Sequence, residues 1–302
     1  MFEGILWFGS EPDPFFNGLL IRVNPWLHWD LHFGGNAVAI RLATKIQGPV
    51  AVIGDVHGQV DKLEAVLEQV VELPDFENRW VVFIGDFVDR GPDGKAAIDR
   101  FLKLLKRHPK TTALMGNHEF AMCAALGWLP VPEYTHWAER WTDHYDADAT
   151  FASYGVEIGD LKALADSVPA SHRDLLSNLP WVIEHPQYLF VHAGLDPNTP
   201  FDVQLRILQK KDFTLNRPQW LCSKGLVETD PPPDCPFAVV SGHVKVPSVQ
   251  IRPKRILIDT TGGLDGDLSC VLLPEKKVIT SAGGSATTAV TGGDKSWWKF
   301  WG

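Results

Sequence analysis

The strongest constraint on this chain is an alternation of apolar runs, polar loops and helical segments. "PVAVIGDVHG" (Pro49–Gly58) is a strand closed by a loop, and "VDKLEAVLEQVVEL" (Val60–Leu73) has helical spacing. "WVVFIGD" is a second strand, "GKAAIDRFLKLLKRH" (Gly94–His108) a second helix, and "TTALMGNHE" (Thr111–Glu119) a third strand with its loop. Val60, Leu63, Val66, Leu67, Val70 and Val71 fall on one stripe of the first helix, and Ile98, Phe101, Leu102 and Leu105 on one face of the second. Strands alternating with helices predict βαβ units around a largely parallel sheet. Later, "QYLFVHAG", "FAVVSGH", "RILIDTTGG", "LSCVLLP" and "KKVIT" follow one another closely, so the second half is expected to be β-rich and antiparallel. The fold class is therefore α/β, two packed sheets with helices outside.

Each strand ends in a loop with metal-ligand chemistry. The set is Asp55 and His57 in "GDVHG", Asp86 in "GDFVDRG", Asn117 and His118 in "GNHE", His192 in "VHAG" and His243 in "SGHV". The carboxyl ends of strands in open α/β sheets converge on one crevice, so these blocks should meet in space. Oxygen and imidazole donors suit manganese, iron or zinc. Asp55, His57, Asp86, Asn117, His192 and His243 are too many for one ion once water is counted, but they divide over two divalent ions if Asp86 bridges. Asp89 and Arg90, just beyond Asp86, are left to act on the substrate side.

These five blocks, in order over roughly Val50–Thr280, resemble the phosphoprotein phosphatase family of dinuclear metallophosphoesterases. The resemblance implies a calcineurin-like α/β sandwich of two mixed sheets flanked by helices, and hydrolysis of phosphate monoesters. It assigns Asp55, His57 and Asp86 to a first metal, and Asp86, Asn117, His192 and His243 to a second. His118 is the implied general acid, oriented by Asp89. Arg90 and Asn117 are implied to hold the phosphate with a second arginine, for which Arg217 in "LNRPQW" is preferred over Arg206. The implied chemistry is direct attack by metal-bound hydroxide without a phosphoenzyme. "GNHEFAMCAALGWLP" and "SGHVKVPSVQIRPKRILIDTTGG" look most like the bacterial-type, Rhizobiales-like phosphatase branch, whose plant relatives are associated with phosphotyrosine.

Three other activities compete with a protein phosphatase. Dinucleoside polyphosphate hydrolases share most of the blocks but commonly lack the aspartate found here as Asp89. Phosphodiesterases of the wider group typically end in G-H-x-H, whereas this chain reads Gly242-His243-Val244-Lys245. A non-catalytic binding protein is disfavoured by the complete ligand set. The net charge of −9 argues against broad nucleic-acid binding and leaves room for a local cationic pocket. Cys123, Cys222, Cys235 and Cys270 are scattered with no C-x-x-C pair, which reads as reduced thiols in a cytoplasmic protein.

The expected organisation is an aromatic extension packed on the core (1–48), a catalytic domain (49–282) with a partly helical insertion (127–155), and a flexible linker with an aromatic tail (283–302). The tail, with Trp297, Trp298, Phe300 and Trp301 beside Lys295 and Lys299, either folds back on the body or contacts a partner or membrane surface. No transmembrane segment is expected. Glu119 should support its loop by hydrogen bonding, and Asp265 and Asp267 should make a turn. His28, His32, His108, His136, His144, His172 and His185 are read as ordinary surface or core residues. Trp137, Trp141 and Tyr145, at i, i+4 and i+8, read as a packed helix face rather than a substrate platform.

Overall fold

The computed structural model describes residues 40–286 except Glu228 and Gly284. Residues 1–39, with His28 and His32, and the aromatic tail lie outside the described residues. The first stretch alternates as expected: β1 (Val50–Ile53), α1 (Val60–Val71), β2 (Trp80–Phe83), α2 (Gly94–Arg107), β3 (Thr111–Ala113) and α3 (Asn117–Ala125). The insertion holds α4 (Trp137–His144) and α5 (Asp148–Ser153), and α6 (Leu161–Ser167) and α7 (Ala170–Asn178) follow it. Then come β4 (Ile183–Glu184), β5 (Tyr188–Phe190), α8 (Phe201–Lys210), α9 (Gln219–Cys222), β6 (Ala238–Ser241), β7 (Gln250–Ile251) and β8 (Arg255–Leu257). β9 (Ser269–Leu273), β10 (Lys277–Thr280) and β11 (Ser285–Ala286) close the order.

The strands form two mixed sheets. One runs β11-β10-β9-β1-β2-β3 and the other β4-β5-β6-β8-β7. β1, β2 and β3 are parallel, as helical crossovers require, and β9 and β10 form an antiparallel hairpin beside β1. The antiparallel expectation fails for β5, β6 and β8, which run parallel to one another. The connection from β5 to β6 is long and carries α8 and α9, and such a crossover returns the chain in the same direction. The sheet also continues past residue 282: Ser285 and Ala286, within the expected linker, pair with β10 as the edge strand β11.

Val50, Val52, Val82 and Ile84 from the first sheet pack with Phe190, Val240 and Ile256 from the second in one core. Each fully buried aliphatic side chain contributes about 1.5–3 kcal/mol. β1 is buried at all four positions because its outer face is covered too, which is why it reads as a continuous apolar run. Over β2, Phe83, Phe87 and Phe101 stack and cross at 5.2–5.4 Å beneath α2. Of the expected N-terminal extension, Lys45 bridges Glu184 beside β4, and Ile46 is buried in the inter-sheet core. All four cysteines are buried and free. Among the described residues, no helix is long and apolar enough to cross a membrane.

Candidate active site

The parallel strands β1, β2 and β3 and the parallel pair β5 and β6 direct their carboxyl ends to one place. The seam is hydrogen-bonded across the sheets: His192 Nδ1 donates to the Ile84 carbonyl at 2.8 Å, and the His243 N–H donates to Asp55 Oδ2 at 2.8 Å. Two groups of potential ligand atoms result, His57/Asp86/His118 and Asp86/His192/His243, each within 4.8 Å of one another. They share Asp86. The Asn117 carboxamide oxygen lies 3.0 Å from His192 Nε2 and 2.7 Å from His243 Nδ1, so the structure brings all six sequence-predicted ligands together.

The turns that present these side chains are strained. His57, Asp86, Asp89, Arg90 and His243 all have left-handed φ, from 44° to 71°. Such conformations in non-glycine residues cost of order 1–3 kcal/mol each. Glu119 offsets part of that cost. Its buried carboxylate accepts from the backbone N–H groups of Asp86 (2.7 Å), Phe87 (2.6 Å), Val88 (3.2 Å) and Gly116 (3.1 Å). Close approach explains two glycines in the motifs: a Cβ at Gly116 would collide with Asp86 Oδ1, and one at Gly242 with Asp55 Oδ1.

The donor set fits cations. His57 Nδ1 faces the Val88 carbonyl at 2.8 Å and His192 Nδ1 the Ile84 carbonyl, so each carries its proton there and turns a lone pair at Nε2 inward. Those Nε2 atoms sit 3.5 and 3.3 Å from Asp86 Oδ2. Lone pairs facing a carboxylate repel it unless positive charge lies between. Without metal, that charge is a proton at His192 and the Arg90 guanidinium at His57. Burial would lower the His192 imidazole, but Asp86 and Asp55 hold it up at about 10. Burial would raise Asp86, but His192, His118 and His57 hold it well below the usual carboxylate range. His57 is pushed down to about 3 by burial and by His118, and His243 well down by burial and by His192. Asp55 Oδ1 and His243 Nε2 are buried without a hydrogen-bond partner, and burial beside Asp259 drives Asp55 well up. Arg90 Nη1 lies 3.3 Å from His57 Nε2 and occupies that lone pair, so a cation at His57 would displace it.

Beside this centre lies a cleft of about 340 Å³. It is lined by Arg90, Asn117, His118, Arg217 and His243, and by five residues that the sequence did not mark for it: Trp137, Arg140, His144, Tyr145 and Lys224. Arg217, whose Nη2 donates to the Cys222 carbonyl, is at the cleft. Arg206 is not among its lining residues and pairs with Asp202 one helical turn away. The helix face Trp137–Trp141–Tyr145 divides: Trp137 and Tyr145 pack inward yet border the cleft, while Trp141 is fully buried. His144 is exposed, a surface residue as expected, and borders the cleft. His172 and His185 do hold structural bonds, His172 between Tyr154 and Asp99 and His185 to the Gly48 carbonyl.

His118 Nδ1 lies 2.8 Å from Asp89 Oδ2. Burial raises the Asp89 carboxyl to about 7, against the hydrogen bonds of Thr150 and Trp141, and burial lowers the His118 imidazole to about 3. Sequence reading missed Asp259. It follows β8 as Asp55 follows β1, and the same strand-end rule would have found it. It is buried, accepts from the N–H groups of Thr261 and Gly262, and is raised to about 6, chiefly by burial. Lys245, at the place of the absent second histidine, pairs with Asp265.

Known proteins resemble parts of this chain. A symmetrical bis(5'-nucleosyl)-tetraphosphatase of Actinobacillus pleuropneumoniae is 31% identical over 148 residues, 48% of this chain and 45% of that protein. The serine/threonine-protein phosphatase 6 catalytic subunit of Drosophila melanogaster is 40% identical over 166 residues, 55% of this chain and 46% of that protein. The chain thus spans about half the length of the curated relatives it matches. A solved cold-active protein tyrosine phosphatase superposes with a TM-score of 0.52 at 20% identity, over 81% of this chain and 80% of that one, a likeness of fold. The model of one family matches residues 48–267, and the chain belongs to it: the calcineurin-like phosphoesterases.

Proposed function

We propose that this chain is a dinuclear-metal phosphomonoesterase of the phosphoprotein phosphatase type, Rhizobiales-like in its sequence blocks, acting on phosphorylated protein side chains. The carrying observation is the adjacency of the shared-Asp86 ligand groups to a cleft that holds Arg90, Arg217 and the His118–Asp89 pair. Asp55, His57, Asp86, Asn117, His192 and His243 would hold two ions, with manganese, iron and zinc all matching the donor chemistry. When bound, such ions supply charge stabilisation and an activated water.

The chain's own residues supply the rest. Arg90 and Arg217 offer guanidinium forks that match phosphate oxygens and stay charged. Asn117 borders the same cleft and adds a carboxamide donor. His118, its Nδ1–H held by Asp89, turns its other ring nitrogen to the leaving-group oxygen; that nitrogen takes a proton from the substrate monoanion or the attacking water and passes it to the oxygen as the P–O bond breaks. The buried, free cysteines accord with a reducing, cytoplasmic setting.

A second reading, hydrolysis of dinucleoside polyphosphates, draws on Arg140 and Lys224. They bring two further cations to the cleft, more than a single phosphate dianion requires. Phosphate release with manganese from a phosphotyrosyl peptide, a phosphoseryl peptide and diadenosine tetraphosphate decides between the two. A phosphopeptide leading by a wide kcat/KM margin is the expected result. A leading dinucleotide overturns the protein-phosphatase assignment.

A further inference from the structure

Three side chains meet the Asp89 carboxylate, and two of them come from the insertion. Its carboxylate is buried with no exposed surface. Oδ2 accepts from the Trp141 indole Nε1 at 2.9 Å as well as facing His118 Nδ1. Oδ1 accepts from the Thr150 hydroxyl at 2.5 Å, and that hydroxyl in turn accepts from the Asp89 N–H at 2.9 Å. Trp141 lies on α4 and Thr150 on α5, and the two helices are joined by the stacking of Trp141 on Phe151 at 5.3 Å. The same segment sets Tyr145 edge-on to the His118 ring at 5.0 Å and takes the Arg90 N–H on the Asp146 carbonyl at 3.1 Å.

We propose that Trp141 and Thr150 are positioning residues for leaving-group protonation, fixing Asp89 so that it orients His118. This rests on the phosphomonoesterase reading. Asp89 sits in a left-handed turn, and its carboxylate could rotate about χ1 and χ2 if only His118 held it. Donors on both oxygens remove that freedom. With both oxygens already accepting, the carboxylate meets His118 Nδ1 in one orientation, and the other ring nitrogen remains aimed at the cleft. A misplacement of about 1 Å at a reacting group can cost roughly a hundredfold in rate. A satisfied buried carboxylate with no catalytic consequence would need the same hydrogen bonds, so the test must read the proton transfer itself.

Trp141→Phe and Thr150→Val remove the donors and keep most of the packing, and Thr150→Ser restores the hydroxyl. With the manganese-loaded enzyme, kcat is measured on phenyl phosphate, a poor leaving group, and p-nitrophenyl phosphate, a good one. Trp141→Phe and Thr150→Val are expected to slow phenyl phosphate about 10- to 100-fold and p-nitrophenyl phosphate less than about 3-fold, with Thr150→Ser close to wild type. Equal losses on both substrates, or none, overturn the proposal. The independent readout is the His118 Nδ1–H resonance of the zinc-loaded protein, zinc being diamagnetic. It is expected in wild type and Thr150→Ser and shifted or lost in the other two variants. An unchanged resonance in both overturns the proposal even if turnover changes. A wild type inactive on every aryl phosphate refutes the phosphomonoesterase reading, and the resonance then decides the positioning contact alone.

Discussion

Asp89 Oδ2 stands 2.8 Å from His118 Nδ1, both side chains buried, and it is the only carboxylate among the described residues that a hydrogen bond joins to that ring. The two residues are 29 positions apart, brought together because β2 and β3 are parallel neighbours. Asp89→Asn keeps the shape and removes the charge that orients the imidazole. It is expected to lower kcat by about 10²–10⁴ and to leave both metals bound. Metal analysis beside the kinetics checks this; a variant that loses metal makes Asp89 a ligand.

Glu119 predicts a stability effect rather than a catalytic one. Four backbone N–H groups converge on its carboxylate, and all four belong to loops that carry the site. Glu119→Gln turns an N–H₂ toward some of those donors. A loss of about 2–4 kcal/mol is expected, read as a lowered denaturant midpoint, together with weaker metal retention.

Gly242 faces Asp55 Oδ1, with Ile84 Cγ2 2.7 Å from where a Cβ would stand. Gly242→Ala should push the Asp55 carboxylate away at a cost of about 1–3 kcal/mol. Manganese affinity measured by competition with a chelator is expected to fall about 10- to 100-fold, because the alanine dislodges a ligand without removing it.

Arg140 holds Asn216 Oδ1 at 2.7 Å and lies over the Trp137 ring at 5.4 Å, and it lines the cleft without being among the metal-ligand candidates. Arg140→Ala and Lys224→Ala are expected to leave KM for a small phosphate monoester within about 2-fold. If the enzyme takes polyphosphate chains, KM for diadenosine tetraphosphate rises about 5- to 10-fold in each, since a lost charge-assisted hydrogen bond is worth about 1–1.4 kcal/mol at a partly exposed site.

Metal removal should make stability depend on pH above neutrality. His192 is raised to about 10, so its contribution is complete below its ordinary value of 6.5 and is lost as pH rises toward 10. Asp55 is raised well above 3.8, and its protonated form likewise stabilises only while the proton stays. His57 and His118, lowered to about 3, are neutral in folded and unfolded chains alike above pH 7 and add no slope there. The chelated protein should therefore show a falling denaturant midpoint from pH 7 to 9, and manganese should flatten it.

The strand–helix alternation and the strand-end ligands were legible because both are local. Period-3.6 stripes make α1 and α2, apolar runs make β1 and β2, and a strand's carboxyl end carries its ligands wherever the sheet later sets it. Direction was not legible for β5, β6 and β8. A short apolar strand reads the same in either sense, and only the crossover through α8 and α9 and the packing of the two sheets fix it. The hydrogen bonds of Trp141 and Thr150 to Asp89 were equally invisible. Helical spacing shows that a residue faces inward, but not that its indole N–H meets a carboxylate 52 positions earlier. The sequence by itself determined which side chains could carry the chemistry. Tertiary packing decided which loops meet, which lone pairs face one another, and which cations line the cleft, because those relationships depend on distances across the sheets that no local pattern encodes.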